Sequence, residues 1–179
     1  MKEVFKYPMI LLRAFKDDII DGRIRLSIFL GLANLLPDLY VCGYIRPFFW
    51  WAAGVKIDVF GSSFIRKNVW VDVPSKLEIG HHFHVNRGTV ISAHGGIKIG
   101  DHVTLSFLNG LHTIDHSAEK PVVLKIAPIV IGDNSIIYSH SIILPGVTIG
   151  KNVVIGTGVS VFFDVPDNSK VLVNKPRVI

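Results

Sequence analysis

From Ile131 onward the chain divides into consecutive six-residue units, "IGDNSI IYSHSI ILPGVT IGKNVV IGTGVS VFFDVP". Each opens on an aliphatic residue, namely Ile131, Ile137, Ile143, Ile149, Ile155 and Val161, and each carries a small or β-branched residue four places on: Ser135, Ser141, Val147, Val153, Val159 and Val165. The same unit returns upstream as "IGDHVT LSFLNG" from Ile99, as "IGHHFH VNRGTV ISAHGG" from Ile79, and more loosely from Val59. A period of six is neither the roughly 3.6 of a helix nor the plain alternation of a strand, so it reports a larger unit. That unit is a triangular coil: three short strands joined by tight corners, about 18 residues per turn, with one aliphatic side chain per face pointing inward. Gly, Asn and Asp supply the corners because those turns need residues that tolerate positive φ. Coils stack at a strand spacing of about 4.8 Å and share backbone hydrogen bonds. The predicted fold is all-β, a parallel β-helix of about five coils over residues 55–166.

The rest of the chain follows a different pattern. Residues 1–54 read as a short α-helical, apolar N-terminal segment, and 167–179 as a C-terminal tail. Apolar residues make up 49% of the sequence and charged ones 18%, against about 25% charged in an ordinary globular domain. Much of the surface is therefore internal, in an interface, or near lipid. Within residues 26–54, Pro37, Asp38, Arg46 and Pro47 cut the apolar run into pieces shorter than the roughly 20 residues of a spanning helix. Two readings follow: a pair of short helices capping one end of the domain, or a peripheral membrane contact with Phe48, Phe49, Trp50 and Trp51 at the lipid boundary. The N-terminus lacks the shape of a secretory leader. Cys42 is the only cysteine, which excludes an internal disulfide and fits a reducing, cytoplasmic setting, at the inner face of the membrane if the apolar segment touches lipid. The net charge of +5 suits an acidic ligand or surface, but no dense Lys/Arg tract with interleaved aromatics points to nucleic acid.

The hexads, the segment "APIVIGDNSIIYSHSIILPGVTIGKNVVIGTG" and the ending "DVPDNSKVLVNKPRVI" resemble the left-handed β-helix (hexapeptide-repeat) acyltransferases, in the branch that acetylates galactosides, maltose and nodulation factors. The resemblance implies a left-handed coil, a homotrimer with sites between subunits, acetyl-CoA as acyl donor and a saccharide acceptor.

The hexads stop between Leu111 and Ile129, where a loop over 112–128 leaves the coil and returns. Excursions from a rigid scaffold are where binding and catalysis concentrate. Counted without a gap from the unit at Ile99, His116 falls where the related acetyltransferases carry their catalytic histidine; His112 does not. Acetyl transfer needs a base that takes the hydroxyl proton and returns one to the leaving thiolate, and imidazole does both near neutral pH. Asp115 is the adjacent candidate, as a substrate-binding carboxylate or as the group that orients the imidazole, with Glu119 or a backbone carbonyl as the other orienting partners. An oxyanion forms at the thioester and calls for a backbone amide donor, which the family takes from a neighbouring subunit. The resemblance assigns Asn86 in "HVNRGTV" to the acceptor, although asparagine also serves coil corners. It assigns Ser139, Thr157, Lys175 and Arg177 to CoA, the small residues along the pantetheine groove and the basic ones toward the phosphates. The chain departs from the family where Ile136 and Tyr138 flank the groove as bulky residues, and where Phe163 takes the place of a basic one; Phe162 or Phe163 then offers a ring for adenine.

Two other functions fit the same coils. One is a non-catalytic trimeric scaffold, which has no use for a histidine on a long loop. The other is a zinc enzyme resembling γ-carbonic anhydrases, suggested by His81, His82, His84, His112, His116 and His140; no Arg-x-Asp precedes the first histidine cluster to match that family. The expectation is therefore acetyl-CoA-dependent O-acetylation of a saccharide in surface polysaccharide assembly, with no metal.

Overall fold

The aliphatic residue that opens each hexad turns inward on one of three parallel sheets. The structure, a computed structural model, describes residues 6–20, 22–116 and 123–173, and strands of two or three residues alternate with corners from Lys56 to Val171. Face A stacks the strands at 56–57, 77–79, 97–99, 129–131 and 148–149. Face B stacks those at 64–65, 84–85, 104–105, 136–137, 154–155 and 170–171, and face C those at 70–71, 90–92, 110–112, 142–143 and 160–161. Pairing between successive coils is parallel throughout. Five complete coils result, and a sixth begins with the bridge from Ile149 to Val165 and the strand at Lys170–Val171.

Inside the triangle the hexad residues form three buried ladders: Ile57, Ile79, Ile99, Ile131 and Ile149 on face A, Ile65, Val85, Leu105, Ile137 and Ile155 on face B, and Val71, Ile91, Leu111, Ile143 and Val161 on face C. Each such side chain contributes roughly 1.5–3 kcal/mol by leaving water. The positions four residues on fill the corners, and polar ones there are satisfied across coils. Asn109, for example, accepts from the Ser141 backbone N–H at 3.0 Å and donates to the Ser106 carbonyl at 3.0 Å. Positive φ occurs at Asn68, Asn134 and Asn152 as the corner chemistry predicts, but also at His82, His102, His140 and Leu108. Histidine is among the residues enriched in that region, and the rings of His82 and His102 stack with centroids 4.5 Å apart. Two of the histidines that suggest a metal, His82 and His140, thus serve as coil corners.

The open end of the first coil is closed by helices α2 (Arg23–Leu35) and α3 (Tyr40–Ala53), with α1 (Lys6–Ile20) lying against α2. Leu26 and Leu30 of α2 and Trp50 and Ala53 of α3 join Val55 and Ile57 in the core, which is the capping that a stacked coil requires at its end. Gly54, at φ 112°, ends α3 in a conformation that other residues rarely adopt. Arg46, 1% exposed, donates to the carbonyls of Ala33, Leu36, Pro37 and Ile65 at 2.8–3.2 Å and so ties both helices and their connection to the first coil. Asp38 lies against Arg46, Arg66 and Arg87. Burial alone would raise its carboxyl, but the hydrogen bond and charge of Arg87 and the charge of Arg66 prevail and hold it below the ordinary aspartate value. The aromatic run divides: Trp50 is buried, whereas Phe48 and Trp51 are exposed. Among the described residues no helix is long and apolar enough to cross a membrane.

Candidate active site

The three corners of the coil differ in how much chain they take. Ile131 pairs with Ile149 and Ile137 with Ile155, three hexads on in each case, whereas Ile79 pairs with Ile99 and Val85 with Leu105, slightly more than three hexads on. The extra chain lies at the corner from face C to face A, in the segments after Val71 and Ser92. At the third coil this corner opens fully: Ile99 pairs with Ile131, more than five hexads on. The sequence shows no strand pattern there, yet residues 114–116 and 124–126 form an antiparallel hairpin, with Ile114 opposite Ile126, Asp115 opposite Lys125 and His116 opposite Leu124. Its pairing is with itself rather than with the coil, so the six-residue period has no hold on it. Residues 117–122, which include Glu119, lie outside the described residues.

His116 and Asp115 are exposed on the first strand of this arm. The Asp115 carboxylate accepts a hydrogen bond from the backbone N–H of His116 at 2.8 Å. It thereby holds the chain beneath the imidazole. His112 remains in the coil, half-buried and in register with Ser92. Its ring lies over Gly110, where a Cβ would come within 2.6 Å of His112 Nε2, so the glycine is what admits the ring. The two histidines are thus separated by structure, one in the coil wall and one on the arm.

The base of the arm holds residues that sequence reasoning misses. Thr113, fully buried, donates from Oγ1 to the Ser92 carbonyl at 2.6 Å and accepts from the Gly95 N–H at 2.8 Å, while its own carbonyl accepts from Ala127 where the chain returns. Below it the Asp72 carboxylate accepts from Ser92 Oγ and the Ala93 N–H, both at 2.7 Å, and lies 2.7 Å from His94 Nδ1. No signal in the hexads marks Asp72, Ser92, His94 or Thr113. They come together because the faces stack, and each sits just past the last inward residue of its strand.

The other proposed residues occupy the corner from face B to face C. Asn86, half-buried, donates from Nδ2 to the Leu105 carbonyl at 3.3 Å. Ser139 and the exposed Thr157 stack one coil apart at this corner, where the Ser139 carbonyl accepts from the Gly158 N–H at 3.0 Å. Tyr138 beside them is exposed, and Phe162 and Phe163 form an exposed edge-to-face pair with centroids 5.4 Å apart. Within one chain, then, Asp115 and His116 are adjacent, Asn86, Ser139 and Thr157 share a second corner, and the two groups stand on different corners of the triangle. Lys175 and Arg177 lie outside the described residues. Among the described residues no three His, Cys, Asp or Glu side chains gather to hold a metal ion.

The bacterial transferase hexapeptide family (six repeats) matches residues 128–162. The galactoside O-acetyltransferase of Escherichia coli K12 is 38% identical over 116 residues, covering 58% of this chain and 56% of that enzyme, so the chain spans little more than half the length of the curated relatives it matches. The solved structure of a maltose O-acetyltransferase from Clostridium difficile 630 is 30% identical, covers 89% of this chain and 86% of its own, and superposes with a TM-score of 0.69. A galactoside acetyltransferase solved in complex with coenzyme A is 25% identical, covers 87% and 78%, and superposes at 0.71. With the coil, its open corner and a solved relative matched over nearly its whole length, the chain belongs to the hexapeptide-repeat acetyltransferases.

Proposed function

We propose that the protein is an acetyl-CoA-dependent O-acetyltransferase that acts on a hydroxyl of a saccharide. The observation that carries this reading is His116, exposed on an arm that departs from an otherwise regular coil, at a corner where Thr113 anchors it to Ser92 and Asp72 braces Ser92. The His116 imidazole takes the proton of the acceptor hydroxyl as its oxygen bonds to the thioester carbonyl carbon. The carbon–sulfur bond then breaks and the same proton passes to the departing CoA sulfur. Asp115 fixes the arm's backbone at that point, and Asn86 offers a donor and an acceptor to sugar hydroxyls. Ser139 and Thr157 line the pantetheine path, with Lys175 and Arg177 answering the phosphates. Because the arm and the Asn86 corner stand apart within one chain, a complete site calls for a homotrimer in which one subunit's arm faces another's corner. The acceptor is a sugar or sugar-linked intermediate of surface polysaccharide assembly, and the setting is cytoplasmic at the inner face of a membrane, a reading supported by the apolar segment 26–54.

The test is release of free CoA thiol from acetyl-CoA by purified protein across a panel of mono- and oligosaccharides, with mass spectrometry of the products. Saccharide-dependent thiol release with one acetyl group gained is expected. His116→Ala is expected to lower kcat by about 100-fold or more with the KM for acetyl-CoA nearly unchanged. Full turnover in that variant would remove His116 from the mechanism, and no turnover with any saccharide would remove the acceptor class.

A further inference from the structure

Helices α2 and α3 are apolar on two opposite sides. In α2, Leu26, Leu30 and Ala33 face the first coil, while Ile24, Ile28, Leu32 and Leu35 form a second stripe at helical spacing that is exposed, Leu35 at 78%. In α3, Trp50 and Ala53 are buried, while Val41, Tyr44, Ile45, Phe48 and Trp51 make an exposed stripe, Trp51 at 52%. The exposed Leu12, Phe15 and Ile19 of α1 follow the same spacing. A helix that is apolar all round belongs in apolar surroundings, and contiguous exposed apolar surface marks a binding face.

We infer that this helical cap is an interfacial membrane anchor, lying on an anionic bilayer through the outward stripes of α2 and α3 with α1 beside them. The anchor rests on the proposed function for its purpose, which is to hold the acyl-transfer site at a lipid-linked acceptor, but not for its binding chemistry. Several observations favour lipid over a protein partner. The outward stripes hold no charged residue, and the single charged residue of α3, Arg46, is buried. A protein-binding face would carry a polar rim and hydrogen-bonding groups across it. Tyr40, Tyr44 and Trp51, with Phe48 packed 5.9 Å from Trp51, pair an apolar body with a polar tip, as side chains at the headgroup boundary do. Residues 6–53 carry six Lys or Arg against four Asp, and the whole chain is at +5, which favours anionic headgroups. The helices run 15, 13 and 14 residues, so they fit the plane of the interface and not its thickness. In a cyclic trimer with its stacks side by side, three such caps present together, and their weak individual insertions add as avidity.

The test uses the full-length protein with sedimenting vesicles of phosphatidylglycerol and phosphatidylethanolamine, and with phosphatidylcholine vesicles for comparison. Sedimentation with the anionic vesicles is expected, together with quenching of tryptophan fluorescence by brominated lipid that is lost in Trp51→Phe. The double variant Phe48→Glu, Trp51→Glu is expected to lower vesicle partitioning by at least about 10-fold, with its circular dichroism and its thiol release on a soluble saccharide unchanged. Wild-type protein left in the supernatant, or undiminished binding by the double variant, would overturn the anchor. So would a drop in oligomer mass in the double variant by sedimentation velocity, since the stripes would then be covered by a second copy. Vesicle binding without any acetyl transfer supports the anchor and counts against the acetyltransferase reading alone.

Discussion

Coils four and five and the arm at 114–126 obey opposite rules. In coil four every strand is paired to the turn before and the turn after, and in both coils the inward residue of each hexad is shut from solvent, as Ile137 and Ile143 are. The arm pairs only with itself, and its strand residues 115, 116 and 124–126 are exposed. A coil residue is thus held by its neighbours in the stack, while an arm residue is held by little more than the anchor at Thr113. With His116 as the proposed base, stability and chemistry would sit in separable parts of the molecule, so that substitutions in one should leave the other's readout alone.

The largest separation is expected from the core. Ile137→Ala removes a fully buried side chain between two ladder neighbours and is expected to cost about 2–5 kcal/mol in urea unfolding, because coils stacked on both sides collapse poorly into the cavity. The turnover of the fraction that remains folded should be nearly normal; a selective loss of turnover would break the division. Of similar size but opposite kind, the loss from His116→Ala should appear wholly in kcat, with the unfolding midpoint unchanged within error. A shared change in both would tie the arm to the coil's stability. Thr113→Val keeps the shape at the base of the arm but strands the part-buried Gly95 N–H, at an expected cost of about 1 kcal/mol. Unlike the other two, it should move both readouts, with kcat falling as the arm loses its anchor.

The smallest effect concerns the cap. Asp38 has its carboxyl held below 3.8 in the folded protein, so its contribution is present above that pH and is lost as pH falls through the depressed folded value. The melting-temperature gap between wild type and Asp38→Asn should therefore be widest near neutral pH and should close on acidification below about 3.8. A gap that stays constant with pH would mean that the arginines around Asp38 act by packing alone.

Legibility in the sequence follows the same division. From Ile131 to Val161 each coil step is three hexads with nothing added, and the period is readable by eye. Upstream, slightly longer steps place extra chain at the corner from face C to face A, which is why the hexads restart at Ile99 instead of continuing from Ile79. That break already points at the corner from which the arm leaves. Within the arm, His116 is found by counting along the chain, but the hairpin is not, because antiparallel pairing of Asp115 with Lys125 leaves no period in so short a segment. Asp72 and His94 escape notice because their contact is made across coils, by residues that look like ordinary polar corners.

The sequence by itself determined the coil, its three inner ladders and the place where it must open, since a six-residue period has one low-energy way to bury an aliphatic side chain per face. It also separated the two regions of chain, because helical spacing of apolar residues before Val55 and hexads after it cannot share one backbone geometry. Only the tertiary structure decided that His112 stays in the wall while His116 leaves it, and showed that the Asp115 carboxylate accepts from the His116 backbone. It alone revealed that Thr113 ties the base of the arm to Ser92 and Gly95, that Asp72 braces Ser92 in turn, and that α2 and α3 carry an apolar stripe on the side away from the coil. These facts depend on which side chains meet across whole turns of the coil, as Ile79 meets Ile99 and Ile99 meets Ile131, and a local pattern carries no record of a partner that far along the chain.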